Sequence, residues 1–277
     1  IGFGNVGVGA FTLVGNTIAA RNTAVGYGAL LYNNADNNTA IGFASLLANT
    51  TGANNSAFGY AALKLNTIGI NNSAFGYQAL IANTTGSYNT AVGNKSLGSN
   101  TFGVYVTAVG FRSLGLNTTG VRNTAVGSYS QYTSTFGNYN TSLGTDTLYA
   151  NITGSYNTAV GSKALQNNTT NGNSAFGYKA LFANTVGVSN VAVGYFALAA
   201  NTIASYNSAV GVTSLASNTT GAYNTAFGYG TLRYNTVGAY NTAGGTFALN
   251  NNTTGKNNTA FGYASLKTNT IGISNTG

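Results

Sequence analysis

Charged side chains are scarce in this chain, which has ten Lys and Arg, two acids (Asp36 and Asp146) and no His or Cys. Hydrolysis by a carboxylate pair needs two acids within roughly 5 to 10 Å of each other. Without His or Cys, the chain offers no imidazole base, no thiolate and no usual zinc or haem ligand. The composition therefore predicts a protein that is not an enzyme and that holds no cofactor and no metal.

A glycine motif at Gly2–Gly7, G-F-G-N-V-G, matches the phosphate-binding pattern G-x-G-x-x-G. A dinucleotide site of that kind needs a helix after the glycines and an acid about 20 residues later. Thr23 and Ala24 occupy that place, and the sequence after the motif has a strand-like pattern. We interpret these glycines as part of a repeat.

The chain is a tandem array marked by a glycine that recurs every 17 residues in thirteen of fifteen intervals and every 16 in the other two. The shorter intervals end at Gly42 and Gly177. With this glycine as position 0, the unit reads N-[TS]-A-[VF]-G-Y-x-[AS]-L-x-x-N-T-x-G-x-Y from position −4 to +12. We call the residues at one repeat position a column. Residues 1–277 form one array without polar caps, which solenoids usually carry, so we expect a segment of a longer fibre.

The columns predict an all-β fold, a parallel β-solenoid (β-roll) with one coil per 17 residues and about 16 coils. The stretch T-A-V-G-Y alternates small and large side chains, as in a strand, and Asn-Thr-x-Gly is typical of turns. We expect two or three short strands in each coil, with equivalent residues about 4.8 Å apart. Asp36 and Asp146 would then lie seven coils and roughly 34 Å apart, too far to form a catalytic pair.

Three kinds of column are predicted to form structural ladders, in which equivalent residues of successive coils contact one another. Asn at −4 and +7 would pass amide hydrogen bonds from coil to coil. Gly at 0 and Leu at +4 would repeat the turn and the core. The predicted ladder residues are Asn22, Asn55, Asn72, Asn89, Asn83, Asn117, Gly26, Gly59, Gly76, Gly93, Leu30, Leu63, Leu80 and Leu97. We expect the Leu and the −1 Val/Phe columns to face the core, with Ala at −2 and Gly at 0 on a flat outer face.

The basic side chains indicate which columns face water, because an unpaired charge is costly to bury. All ten lie at +2, +5, +11 or +12. Lys64, Arg112, Lys163 and Lys179 are the predicted surface contacts. They are scattered over several columns, so we expect no specific nucleic-acid binding, although a net charge of +8 favours loose contact with anionic surface polymers.

Aromatic side chains are too many for such a small coil to enclose. Nine Tyr or Phe at +1 and seven Tyr at +12 would leave an apolar stripe beside the flat Ala/Gly face. Three chains around one axis would cover both surfaces in a closed ring. We therefore predict a homotrimeric rod, with a monomer and other assemblies as alternatives.

Two stretches, N-T-A-V-G-Y-G-A at Asn22–Ala29 and N-S-A-F-G-Y-Q-A at Asn72–Ala79, resemble the strand motif of trimeric autotransporter adhesin heads of the YadA type. The N-T-A-x-G-Y-x-A-L array also resembles arrays of phage tail-fibre and bacterial surface-fibre proteins. The resemblance implies a left-handed parallel β-roll of three chains that serves as a non-enzymatic, adhesive head or stalk. Two departures stand out, because the family's coil is shorter and an Ala here follows the Ser/Thr directly.

The predicted function is a structural or adhesive fibre segment, extracellular on a cell surface or virion, whose partners are its own copies and host-cell or surface polymers. One alternative is an ice-binding solenoid, because Thr at +8 and Ser/Thr at −3 form regular columns. Another is a self-assembling filament or sheath subunit. The sequence contains no apolar run of 18 residues, so we expect no membrane span in it.

Overall fold

The computed structural model describes residues 2–277. The chain divides into two compact units, the first ending at Asn140 and the second beginning at Thr141. Within the described residues both units are all-β, with one three-residue strand in each repeat and no helix. Each unit contains eight such strands.

Every strand covers positions −3 to −1 of its repeat. The strands of the first unit are β1 (Val6–Val8), β2 (Thr23–Val25), β3 (Thr39–Ile41), β4 (Ser56–Phe58), β5 (Ser73–Phe75), β6 (Thr90–Val92), β7 (Thr107–Val109) and β8 (Thr124–Val126). Those of the second unit are β9 (Thr141–Leu143), β10 (Thr158–Val160), β11 (Ser174–Phe176), β12 (Val191–Val193), β13 (Ser208–Val210), β14 (Thr225–Phe227), β15 (Thr242–Gly244) and β16 (Thr259–Phe261).

Neighbouring strands within each unit pair in parallel, and the register equals the repeat. In β4 and β5, for example, Ser56 pairs with Ser73, Ala57 with Ala74, and Phe58 with Phe75. Where a 16-residue interval occurs, as between β10 and β11, the equivalent positions still pair. Each column therefore lines up on itself, which confirms the predicted parallel β-solenoid with one coil per repeat.

The number of strands per coil differs from the expected two or three. Residues at +2 and +4 adopt left-handed backbone conformations, as in Gln78 (φ 56°) and Leu80 (φ 51°), which an extended strand cannot contain. The Ala79 N–H donates to Gly76 O at 3.4 Å, and the Asn83 N–H donates to Leu80 O at 3.1 Å. Positions 0 to +7 thus form two consecutive turns.

Hydrogen bonds between coils continue through these turns. The Leu80 N–H donates to Ser96 O of the next coil at 3.0 Å, and the Leu65 N–H donates to Ile81 O at 3.1 Å. Buried backbone groups need partners whether or not they belong to a strand. The irregular part of the coil is therefore held to its neighbour in the same way as the strand.

The core of each unit consists of Leu at +4 and Ala at −2 and +3. Leu80, Ala74 and Ala79 are fully buried. The expectation that −1 faces the core was wrong, because Phe75 is 39% exposed and Phe227 is 49% exposed. Since strand side chains alternate between faces, burial of Ala at −2 directs −3 and −1 outward. The predicted flat Ala face is likewise buried.

We predict that Leu80→Ala destabilises the fold by about 2–5 kcal/mol, because it leaves a cavity that the stacked coils cannot close. Leu65→Ala is the matched control, since Leu65 lies at +6 of the preceding coil and is 45% exposed. The midpoint of thermal unfolding should fall clearly for the first variant and little for the second. Equal midpoints would show that position +4 does not carry the core.

Candidate functional surfaces

The Asn column at +7 forms a buried ladder from Asn33 to Asn117 in the first unit. Asn83 Nδ2 donates to Asn66 Oδ1 at 2.8 Å and to Gly86 O at 2.9 Å, while Asn83 Oδ1 accepts a bond from Asn100 at 2.9 Å. Asn117 continues this pattern, with its Nδ2 at 2.8 Å from Asn100 Oδ1. Each +7 amide from Asn49 to Asn100 therefore bonds to both neighbouring coils and to the carbonyl of its own turn. Asn117 Oδ1 has no partner in the described residues, and the next +7 residue is Ser134.

The Asn column at −4 forms a second buried ladder with a different pattern. The Asn72 N–H donates to Asn55 Oδ1 at 2.9 Å, and Asn72 Oδ1 accepts the Asn89 N–H at 3.0 Å. Asn72 Nδ2 donates to Gly86 O at 2.9 Å, the carbonyl that also accepts from the +7 ladder. The two ladders thus meet at the +10 carbonyl.

Asn22, the second residue of the same column, lies beside a 16-residue interval. Its Oδ1 accepts the Asn38 N–H at 2.8 Å, but its Nδ2 has no hydrogen-bond partner in the described residues. The equivalent donor in Asn55 reaches Gly69 O, 14 residues later. At the other 16-residue interval the equivalent donor keeps its partner, since Asn157 Nδ2 donates to Thr170 O at 2.7 Å. Beside Asn22, the Ala35 carbonyl instead accepts from the side chains of Asn33 and Asn38.

Glycines at position 0 bring the coils together. Gly59, Gly76 and Gly93 have φ between 128° and 136°, a region that favours glycine. A Cβ at Gly76 would lie 2.6 Å from Gly93 O, and one at Gly26 would lie 2.7 Å from Gly42 O. No side chain fits at these places. The predicted Leu residues, in contrast, are fully buried and fill the interior of the coils. The predicted Asn, Gly and Leu ladder residues therefore lie where they join neighbouring coils or fill the core.

Aromatic rings stack on the outer surface of each unit. In the first unit, the rings of Tyr27, Phe43, Tyr60 and Tyr77 follow one another with centroid separations of 5.3, 5.1 and 5.2 Å. These four side chains, which we call the +1 aromatic ladder, are 45 to 52% exposed. Their contiguous apolar surface is typical of a surface that binds another molecule.

A second set of stacked rings occupies position +12. Tyr88 and Tyr105 stack in the first unit with centroids 4.9 Å apart. In the second unit Tyr206, Tyr223 and Tyr240 stack at 5.0 Å. The outward direction of both aromatic columns agrees with the expectation that the coil is too small to enclose them.

The two threonine columns differ in how their hydroxyls are used. At +8, Thr67 Oγ1 donates to Thr84 O at 3.0 Å, and Thr84 Oγ1 donates to Thr101 O at 3.1 Å. These hydroxyl protons hold adjacent coils together. At −3, residues such as Thr90 and Thr107 lie on the outer face of the strands. Only the −3 column thus leaves hydroxyls on a strand surface.

The predicted surface cations are partly exposed, but the structure does not gather them into one site. Lys64 lies at +5 in the first unit, whereas Lys163 and Lys179 lie at +2 in successive coils of the second. The Lys179 Nζ is 5.2 to 5.5 Å from the ring centres of Tyr178, Phe182 and Phe196. These cation–π contacts surround the ammonium group with three aromatic rings.

Arg112 lies in a different setting. Its guanidinium carbon is 5.4 Å from the ring centre of Phe111, and the side chain lines a groove of about 280 Å³ that also contains Lys95. Sequence reasoning missed this groove. The signal for it is the pair Gly98 and Gly115, two successive glycines in the +5 column, which elsewhere carries larger side chains.

Residues 2–277 contain no cluster of three or more His, Cys, Asp or Glu that could hold a metal ion. No helix among these residues is long and apolar enough to cross a bilayer. Comparison of the chain with protein-family models, curated proteins and solved structures finds no match. The resemblance to adhesin heads therefore stays an expectation from the sequence.

We predict that Asn83→Ala destabilises the fold by about 1–3 kcal/mol, because it removes three buried amide hydrogen bonds. Asn94→Ala, in the exposed +1 column of the same unit, is the matched control. Thermal unfolding should start earlier only for Asn83→Ala. If both variants unfold at the same temperature, the buried ladder does not stabilise the coils.

Proposed function

We propose that this chain is a non-enzymatic structural and adhesive segment of an extracellular fibre, carried on a cell surface or virion. The observation that carries the proposal is the pair of buried Asn ladders. Through them each coil is bonded to the next by side chains as well as by backbone, without any charge. A unit built in this way suits a stiff spacer.

The outer surface supports the adhesive part of the proposal. Aromatic rings stack on four successive coils at Tyr27, Phe43, Tyr60 and Tyr77, so each of these coils offers nearly the same weak contact as its neighbours. Many weak contacts made in parallel give a strong attachment even when each one is weak. The partners that fit are host-cell or other surface polymers, and further copies of this chain.

We also propose that the chain assembles as a homotrimeric rod, but the surface that supports this proposal differs from the one expected from the sequence. The bare Ala/Gly face no longer supports it, because the Ala column is buried. The +1 aromatic ladder supports it, since Tyr60 is 48% and Tyr77 is 45% exposed in the single chain. Burying such rings between chains removes apolar surface from water.

We predict that light scattering on the purified protein gives the mass of three 28.0 kDa chains. The double variant Tyr60→Thr/Tyr77→Thr should shift the mass towards one chain, and Tyr223→Thr in the +12 column should not. A stable monomer of the unaltered chain would refute the trimer. Particles of indefinite size would instead support the self-assembling filament or sheath subunit.

An ice-binding role is the second candidate, favoured by one observation. The outward −3 column presents a Ser or Thr hydroxyl from nearly every coil on a strand surface. Against it, Val191 interrupts the column, and bulky Phe58 and Phe75 stand beside it at −1. The +8 hydroxyls are also engaged between coils. The fibre proposal therefore takes precedence.

We predict that the protein shows no thermal hysteresis, because a surface with mixed Val and Phe neighbours does not hold water in a regular lattice. The measurement compares the melting and freezing temperatures of ice in protein solution with those in buffer. A hysteresis gap that disappears in the double variant Thr90→Lys/Thr107→Lys would establish ice binding in place of adhesion.

A further inference from the structure

A groove of about 280 Å³ lies on the outer surface of the first unit, between columns +2 and +5. It exists because Gly98 and Gly115 replace the longer side chains found at +5 in other coils. Lys64 and Ile81 occupy that position in the two preceding coils. The groove is therefore a local interruption of an otherwise regular surface.

One end of the groove is closed by an aromatic ring. Tyr132, the +5 residue of the next coil, lies over Gly115, so that a Cβ on Gly115 would be 2.8 Å from Tyr132 Cε2. At Gly98 the three atoms nearest to the corresponding point are all backbone atoms, of Lys95 and Gly115. The floor is thus glycine backbone, open at Gly98 and bounded by a tyrosine ring.

Two cations from adjacent coils line this groove, Lys95 and Arg112. Their backbones are one repeat apart, which places them on neighbouring rungs about 4.8 Å apart. The first unit has one carboxylate, Asp36, which pairs with Arg21 at 3.2 Å. No acid of this unit is therefore left to neutralise the two positive charges in the groove.

We infer that the groove binds an acidic saccharide. An anionic substituent on the sugar would pair with Lys95 and Arg112, where the two like charges reinforce attraction for an anion. The Tyr132 ring offers an apolar face for a sugar ring, and the Gln78 amide at the other end offers a donor and an acceptor for hydroxyls. A volume of about 280 Å³ admits one or two sugar rings.

The groove is too short for a polynucleotide, which needs cations along a continuous track. An acidic saccharide unit needs only this pair. The inference deepens the proposed adhesive function by naming a ligand, and it rests on that function for its biological meaning. Binding of a soluble saccharide can nevertheless be measured without any adhesion assay.

The second unit supplies a matched control. Lys163 and Lys179 also stand at +2 in successive coils, but Gln166 and Phe182 fill the +5 column beside them. The Lys179 Nζ lies 5.2 Å from the Phe182 ring centre. This pair has the same charge and the same columns as Lys95 and Arg112, without an open groove.

Titration calorimetry with the full chain would use three probes: trigalacturonate, a sulfated heparin disaccharide and neutral maltotriose. We expect at least one acidic probe to bind with a Kd of about 0.1–1 mM, and maltotriose not to bind. A response to trigalacturonate alone assigns a carboxylate as the anion, and a response to the heparin disaccharide alone assigns a sulfate. No binding of either acidic probe overturns the inference.

Two variants test the groove itself. Lys95→Gln/Arg112→Gln should weaken binding about tenfold, the loss expected for two exposed ion pairs. Gly98→Phe should also weaken it at unchanged charge, by filling the groove with a side chain that +5 carries elsewhere. Lys163→Gln/Lys179→Gln should leave binding unchanged, and circular dichroism should match the parent in every case.

Two results would contradict the inference. Equal weakening by the two Lys/Arg double variants would show attraction to net charge instead of a site. Unchanged binding by Gly98→Phe would place the saccharide elsewhere. Adhesion of protein-coated beads to cells, measured separately, distinguishes the two proposals: beads that adhere equally well with Lys95→Gln/Arg112→Gln would keep the fibre function while removing this ligand site from it.

Discussion

The buried asparagine amide is the interaction on which the rest of this structure depends. A coil with one three-residue strand leaves most of its backbone in turns, and buried turn carbonyls still need donors. Asn can donate twice and accept at the same time without carrying charge. The turn carbonyl of Gly86, for example, accepts hydrogen bonds from the side chains of both Asn72 and Asn83. A chain with 4% charged residues can therefore satisfy a polar interior.

The close approach of the coils that these amides require also determines what surrounds them. At Gly76 the next coil leaves no room for a Cβ, so the turn remains glycine in every repeat. The small interior then accepts Leu80 and Ala74 but no ring. Large side chains must point outward, where they stack on their own copies. The exposed aromatic ladders thus follow from the size of the coil, and a binding function uses a surface that the fold already creates.

Much of the fold was predictable from the sequence, because a repeat that stacks on itself converts each column into a contact. The Asn, Gly and Leu columns needed no other information. The inner and outer faces of the strand were not predictable in the same way. An alternation such as T-A-V has the same period whichever face is buried, and hydrophobicity favoured Val/Phe over Ala. The size of the coil determines which face of the strand is buried. The Phe ring found at −1 would not fit in the space that the fully buried Ala57 occupies at −2.

The groove was missed for a related reason, which also bears on where specificity can arise in an array. Columns that carry the same residue type in nearly every coil, such as Asn, Gly, Leu and the outward Ser/Thr at −3, cannot distinguish one coil from another. A ligand can select a particular coil only through columns that vary, chiefly +2 and +5. At Gly98 and Gly115 the variation removes side chains instead of adding them, and an absent side chain is a weak signal in a glycine-rich sequence. The structure converts that absence into a space beside Lys95 and Arg112. Departures from the repeat are therefore the places where a uniform fibre acquires chemistry of its own.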